Sequence, residues 1–315
     1  MKSIEEQLPG VQKNVSLKEY TTFAIGGPAE YFFVAQNANE VKKAIRVATE
    51  LGLPVVTMGG GSNLLISDQG LRGLVIKIHN TEISVTGTAI TAGAGVEMKD
   101  LVQCSLDHGL EGLEWAGGLP GTFGGAIRGN AGAFGGEMKD TIFQVEALDE
   151  ALVLHQLDNQ QCQFGYRNSI VKRKGWIVLS ATVHLKPGDK QKIQAIANSR
   201  IQYRKDRHPL EYPSAGSVFK NVDVKDVPAQ FLPEFQDKIK QDPFPIVPAA
   251  WFIIGAGLTG AQVGQAQIST KHSNYIVNLG GASAQDVLGL IELVKNTVYA
   301  TYGITLEPEV QFLRN

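Results

Sequence analysis

The sequence predicts a chain of mixed helix and strand, folded as two or three domains. Three observations carry this. At 315 residues the chain exceeds what one ordinary hydrophobic core organises. Segments with apolar residues at helical spacing alternate with short apolar runs of strand type. The first half also carries three glycine-rich loops: Ile25-Gly26-Gly27-Pro28, Gly59-Gly60-Gly61-Ser62-Asn63 and the long segment 117–136.

The elements follow in order. Residues 39–51 place Val41, Ala44, Ile45, Ala48 and Leu51 on one helical face, with Asn37 or Asn39 as cap and Gly52 at the stop. Apolar runs at 54–58 and 74–78 flank the GGGSN loop, a βαβ-like opening. Runs at 83–85 and 89–92 around Thr86-Gly87-Thr88 predict a hairpin. Residues 96–108 read as a helix stopped by Gly109, and strands are expected at 142–148, 151–157 and 176–185. A charged helix over 190–207 ends at His208-Pro209, and the proline-rich stretch 209–248 reads as an irregular crossing into another domain. A last helix over 287–302 carries Val287, Leu290, Ile291, Val294 and Val298 on its apolar stripe. A strand is expected over 304–313.

Composition excludes several classes. The chain is 43% hydrophobic and 19% charged, as expected of a folded protein. A net charge of −2 argues against a general nucleic-acid binder. Cys104 and Cys162 lack metal-type spacing and fit a reducing cytosol, and MKSIEEQLPG lacks the apolar run of a signal peptide. The six histidines form no metal pattern, so no metal is expected. Residues 243–270 are uncharged, but Pro243, Pro245, Pro248 and four glycines interrupt them. They argue for a buried strand and turn over 249–256, not a membrane span.

Nine glycines among residues 117–136 argue against a packed helix or strand. Backbone N–H groups in such loops cradle phosphate, and three such loops suggest one large phosphate-bearing ligand. Tight turns are the alternative reading. The GAGLTG of residues 255–260 matches the dinucleotide fingerprint, yet no acidic residue follows until Asp286, so it reads as a structural turn. Neither glycine loop is followed by Lys-Ser/Thr, which disfavours a nucleoside-triphosphatase loop. Tyr166-Arg167-Asn168-Ser169 reads as a polar loop. Ser214–Asn221 gathers two hydroxyls, a cation and an amide, either an oxyanion-binding kit or an exposed turn. Glu307 and Glu309 share a strand face. The basic run Arg200, Arg204, Lys205, Arg207 and His208 is either a diphosphate contact or a solvated helix end.

Taken in order, these segments resemble the UDP-N-acetylenolpyruvoylglucosamine reductase (MurB) family. The matching residues are YTTFAIGGPAE (20–30), GGGSNLLISDQGLRGLVI (59–76), GLPGTFGGAIRGNAGAFGGE (118–137), FGYRNSIVK (164–172), RKDRHPLEYPSAGSVFKN (204–221) and LEPEVQF (306–312). They cover nearly the whole chain, and their conjunction is the specific signal. The resemblance implies an α+β fold: a two-part FAD-binding domain of the vanillyl-alcohol-oxidase (PCMH) type over 1–203, divided near residue 78, and a smaller α+β substrate domain over 204–315. The short spacing between YRNS and RKDRHPL is similar to the type II subgroup.

The resemblance also implies site residues. FAD is expected on Thr22, Gly59, Gly60, Gly61, Ser62, Asn63, Leu64, Gly118, Gly121, Thr122, Gly124, Gly125, Asn130, Ala131, Gly132 and Ile177. Arg167 and Glu309 match residues that stabilise an enolate-like species, and Ser217 matches the proton donor to C2. Tyr166, Arg204, Lys220, Asn221 and His272 are expected on the substrate, UDP-N-acetylglucosamine enolpyruvate, with NADPH as reductant. A cytoplasmic monomer is implied. Two departures concern binding contacts: Arg128-Gly129 replaces bulkier uncharged residues, and Ile253-Ile254-Gly255 lacks an acidic residue before Ala-Gly.

Overall fold

Helices translate the pattern most directly. In the computed structural model, which describes residues 3–315, the Ala38–Glu50 helix begins at Asn37, whose side chain accepts from Glu40 N–H. It buries Val41, Ala44, Val47 and Ala48, and Gly52 takes the left-handed backbone (φ +68°) that ends it. The Lys190–Arg207 helix starts beside Asp189, whose carboxylate accepts from Gln191 and Lys192 N–H. The Ala284–Tyr302 helix has a full capping box of Ser283 and Asp286 and ends at left-handed Gly303.

The chain divides into two compact units. The first comprises 1–15, 29–60 and 72–204; the second comprises 16–28, 61–71 and 205–315. The second thus draws two short stretches from the first seventy residues, and the GGGSN loop is divided after Gly60.

The first unit holds a four-stranded sheet ordered Gln12–Ser16, Pro28–Ala35, Leu71–Ile78, Val55–Met58. Its last two strands are parallel, Val55 opposite Leu74 and Met58 opposite Lys77. A five-stranded antiparallel sheet runs Leu154–Asp158, Ile142–Leu148, Ile177–His184, Ala89–Gly93, Ile83–Thr86. The expected hairpin is present, with Thr86 opposite Ala89 and Gly87 at φ +60°. The strand expected from 151 begins only at Leu154. Asp149 accepts from Ala151 and Val153 N–H and shapes a turn through Leu152 (φ +62°).

In the second unit the Ala284–Tyr302 helix buries Val287, Leu290, Ile291, Val294 and Val298 against Phe252, Ile276 and Leu65 in one core. Residues 209–248 are irregular, as expected, but are built into this unit, with Val227, Phe235 and Val247 in its core. The strand expected at 249–256 is instead a helix, Ala249–Gly255. A continuous apolar run lacks a period that tells helix from strand, and here Phe252 and Ile253 are buried while Ile254 stays 43% exposed. GAGLTG therefore follows a helix, with Gly257 and Gly260 left-handed (φ +71° and +81°), and opens none. The last strand is also shorter than expected. Only Gln311–Leu313 pairs, parallel to Leu64–Ile66. Pro308, without an N–H, makes a single bridge to Phe219.

Among the described residues no helix is long and apolar enough to cross a membrane, and no cluster of three or more metal-ligating side chains occurs. Cys104 and Cys162 are free, and burial pushes the Cys162 thiol up to about 12.

Candidate active site

Within the first unit the glycine segment 117–136 departs from expectation by containing a helix, Phe123–Gly129. Tertiary contact outweighs propensity there. A Cβ on Gly124 would lie 2.7 Å from the Ala94 Cβ, so only glycine lets this helix approach its neighbour so closely. The helix ends at Asn130 in the left-handed region (φ 43°). The Asn130 amide donates to Glu137 Oε2 (3.1 Å) and Gly165 O (3.0 Å) and accepts from Lys139 N–H (3.0 Å). Its side chain serves the loop itself.

The first and second halves of the expected cofactor cradle meet inside this unit. A Cβ on Gly59 would lie 2.3 Å from Thr122 Oγ1, and one on Gly60 would lie 3.0 Å from Gly121 Cα. Thr122 Oγ1 is buried and has no hydrogen-bond partner within the protein. A buried hydroxyl left so costs about 1–3 kcal/mol, and a phosphoryl oxygen would supply the missing partner. These residues fit a dinucleotide pyrophosphate. Lys77 Nζ donates to Gly59 O at 3.3 Å, and burial holds its ammonium below the usual lysine range.

Phe134, which the sequence did not single out, anchors the segment's far end. Its ring lies 4.6 Å from the Arg200 guanidinium carbon, 5.3 Å from that of Arg204, and edge-on to Tyr203 at 5.2 Å. The basic run on the Lys190–Arg207 helix is thus partly structural. Arg204, expected on the substrate, is buried in the first unit and donates from Nε to Gly117 O at 3.0 Å. No sequence signal joins Phe134 to cations some seventy positions later; only the fold does. Arg128 is half-buried, and desolvation lowers its guanidinium from the usual range.

Arg167 lies in the first unit with a left-handed backbone (φ 53°). Its Nη2 donates to Gly132 O at 3.0 Å, its guanidinium lies 5.0 Å over the Tyr166 ring, and Lys172 Nζ caps its carbonyl at 2.9 Å. Two expected groups, the YRNS loop and the glycine segment, are therefore in direct contact. Ile177, half-buried, opens the central strand of the five-stranded sheet opposite Leu148.

Ser217, Lys220, Asn221, His272 and Glu309 belong to the second unit, as do Thr22, Gly61, Ser62, Asn63 and Leu64. The Ser214–Asn221 segment is no exposed turn: Ala215, Val218 and Phe219 are buried. It runs antiparallel to the C-terminal segment, with Phe219 bridging Pro308, Lys220 N–H donating to Glu307 O (2.9 Å) and Glu309 N–H to Val218 O (2.7 Å). Lys220 Nζ pairs with the exposed Glu307 carboxylate, and Glu309 is half-buried. Asn221 Oδ1 accepts from Ala249 N–H. Thr22 O accepts from Ser214 N–H at 3.0 Å, and Thr22 N–H donates to Gly61 O at 3.3 Å. His272 packs against Tyr275 and His208, and burial lowers its imidazole from the usual range.

A family model of the FAD binding domain matches residues 29–151, and one for the UDP-N-acetylenolpyruvoylglucosamine reductase C-terminal domain matches 208–313. Fold and glycine cradle together define an α+β flavoprotein, an FAD-binding domain joined to a reductase C-terminal domain. The chain is 39% identical over 301 residues to the UDP-N-acetylenolpyruvoylglucosamine reductase of Caldanaerobacter subterraneus subsp. tengcongensis, covering 95% of this chain and 92% of that one. It is 40% identical over 329 residues to that of Agathobacter rectalis, covering 99% and 98%. The crystal structure of UDP-N-acetylenolpyruvylglucosamine reductase (MurB) from Thermus caldophilus superposes with a TM-score of 0.78 at 33% identity, covering 96% and 99%. The chain belongs to the UDP-N-acetylenolpyruvoylglucosamine reductase family.

Proposed function

We propose that this protein uses NADPH to reduce UDP-N-acetylglucosamine enolpyruvate to UDP-N-acetylmuramate, a peptidoglycan precursor, as a cytoplasmic monomer. The division into a cofactor domain before residue 204 and a substrate domain after it is part of this reading. The observation that carries it is the antiparallel pairing of the Ser217 segment with Glu307–Glu309. Two motifs some ninety residues apart, each matching a functional segment of the family, lie on adjacent backbones.

The chemistry that bound FAD supplies is to accept a hydride from NADPH and release one to C3 of the enolpyruvyl group. Gly59, Gly60, Gly121 and Thr122 would hold its pyrophosphate, the Thr122 hydroxyl gaining its missing partner. Adding hydride at C3 leaves negative charge at C2, delocalised into the substrate carboxylate. Arg167 offers a permanent cation to that charge, its guanidinium aimed by the Gly132 carbonyl. Glu309, half-buried, adds a carboxyl that polarises the same group. Ser217 then donates its hydroxyl proton to C2. A serine is a weak acid, so it depends on placement and on the basicity of the carbanion. Lys220, Asn221 and His272 are assigned to the UDP-sugar.

The two half-reactions separate by flavin absorbance. The purified protein should be yellow, bleach with NADPH, and recolour when the enolpyruvyl substrate is added. In Ser217→Ala, bleaching should persist while recolouring slows about 10²- to 10⁴-fold. A colourless protein that takes up no added FAD overturns the reading, and unchanged recolouring removes Ser217 as the donor.

A further inference from the structure

Residues 217–219 are hydrogen-bonded on both sides within the second unit. The C-terminal segment supplies one side. On the other, Ser217 bridges Tyr275, and Val218 N–H donates to Asn274 O at 2.8 Å. The Asn274 side chain then does what no ladder residue does. Its Oδ1 accepts from Phe219 N–H at 3.0 Å, and its Nδ2 donates to Phe219 O at 2.9 Å. One amide gives Phe219 both bonds that a neighbouring strand would give. Asn274 is 4% exposed, so water competes little for these bonds. Its own N–H donates to His272 Nδ1 at 3.3 Å, and the adjacent Ser273 Oγ pairs with Thr259 Oγ1 at 2.8 Å. The clamp is itself anchored.

We propose that Asn274 is a positioning residue for the reduction, holding the Ser217 hydroxyl in place by clamping the backbone two residues beyond it. The inference rests on the assignment of Ser217 as proton donor. Asn274 is given no contact with a reacting atom. Without its amide the segment keeps the Pro308 side and the Asn274 main-chain bond, but Phe219 loses two buried partners and the strand is free to pivot. A misplacement of about 1 Å at a reacting group costs about 10²-fold in rate, whereas hydride uptake from NADPH needs no proton from Ser217.

The test uses FAD-loaded Asn274→Ala, Asn274→Asp, Ser217→Ala and the Asn274→Ala/Ser217→Ala double variant, each half-reaction followed by flavin absorbance in single turnover. Reduction by NADPH should stay within about twofold of wild type in all four. Reoxidation by the enolpyruvyl substrate should slow about 10²-fold in Asn274→Ala, with the half-saturating substrate concentration little changed. The double variant should be no slower than Ser217→Ala alone, since Asn274 acts through that hydroxyl. Asn274→Asp preserves volume and the acceptor but loses the donor to Phe219 O, and it carries the test if the alanine variant fails to retain FAD. Additive slowing in the double variant, or equal slowing of both half-reactions in Asn274→Asp, overturns the inference. Ser217→Ala reoxidising at the wild-type rate defeats the donor assignment instead. Normal Asn274 variants beside a slow Ser217→Ala defeat only the positioning role.

Discussion

Asn63 Nδ2 donates to the main-chain carbonyl of Glu309 at 3.1 Å, joining residues 246 apart in sequence. Gln311 N–H returns a bond to Asn63 O at 3.0 Å, and Glu309 N–H reaches Val218 O on its other side. The Glu309 backbone is therefore held between the GGGSN loop and the Ser217 segment. Asn63→Ala removes the side-chain bond and keeps the main-chain one. It should lower stability by about 1 kcal/mol, read from urea unfolding, and slow flavin reoxidation more than flavin reduction. An unchanged unfolding midpoint would show that this bond contributes nothing.

Glycines of the two glycine-rich loops should differ sharply. Gly61 has φ +64°, and a Cβ there would lie 2.0 Å from the Tyr20 carbonyl oxygen, a main-chain atom that cannot swing aside. Gly61→Ala should cost several kcal/mol, from left-handed strain of about 1–2 kcal/mol plus the clash. Gly129, in the helix, would meet nothing within 4 Å. Gly129→Ala should leave the melting temperature unchanged or slightly raised. Thermal unfolding of the two variants side by side checks this.

Phe134→Leu keeps an apolar side chain but loses the ring that faces Arg200 and Arg204. Cation–π contacts of this kind are worth about 0.5–2 kcal/mol. If the glycine segment holds FAD, the cofactor's dissociation constant should rise roughly tenfold, measured by quenching of flavin fluorescence. Unaltered FAD affinity would separate the Phe134 anchor from cofactor binding.

His272 is expected to contribute an acid limb to stability. Burial lowers its pKa in the folded state, so the unfolded chain takes up the proton first as pH falls. The stabilisation it contributes is present above the ordinary imidazole range. It is lost as pH falls from that range to the lowered folded value. His272→Gln should show a flatter decline in stability as pH falls through and below the ordinary imidazole range, followed by urea titration at each pH. A decline as steep as in wild type would assign the acid limb to other groups.

Much of the fold was legible in the residues. The Ala38–Glu50, Lys190–Arg207 and Ala284–Tyr302 helices carry their own caps or stops, and all but the charged one carry an apolar stripe as well. The Ala249–Gly255 helix was not legible, because an unbroken apolar run has no period and its hydrogen-bonding pattern is chosen by what it packs against. The helix inside the glycine segment was hidden for a related reason: propensity counts local entropy, and Gly124 is there to admit Ala94.

By itself the sequence determined the long capped helices, the chain punctuation and the family, since these lie in local spacing and in motifs read along the chain. Tertiary structure alone decided what holds those motifs. Asn63 with Glu309, Asn274 with Phe219, and Phe134 with Arg200 and Arg204 are partners made by folding. A buried amide or guanidinium takes whichever partner the packed chain brings within hydrogen-bond or ring-contact distance, and sequence separation does not limit that choice.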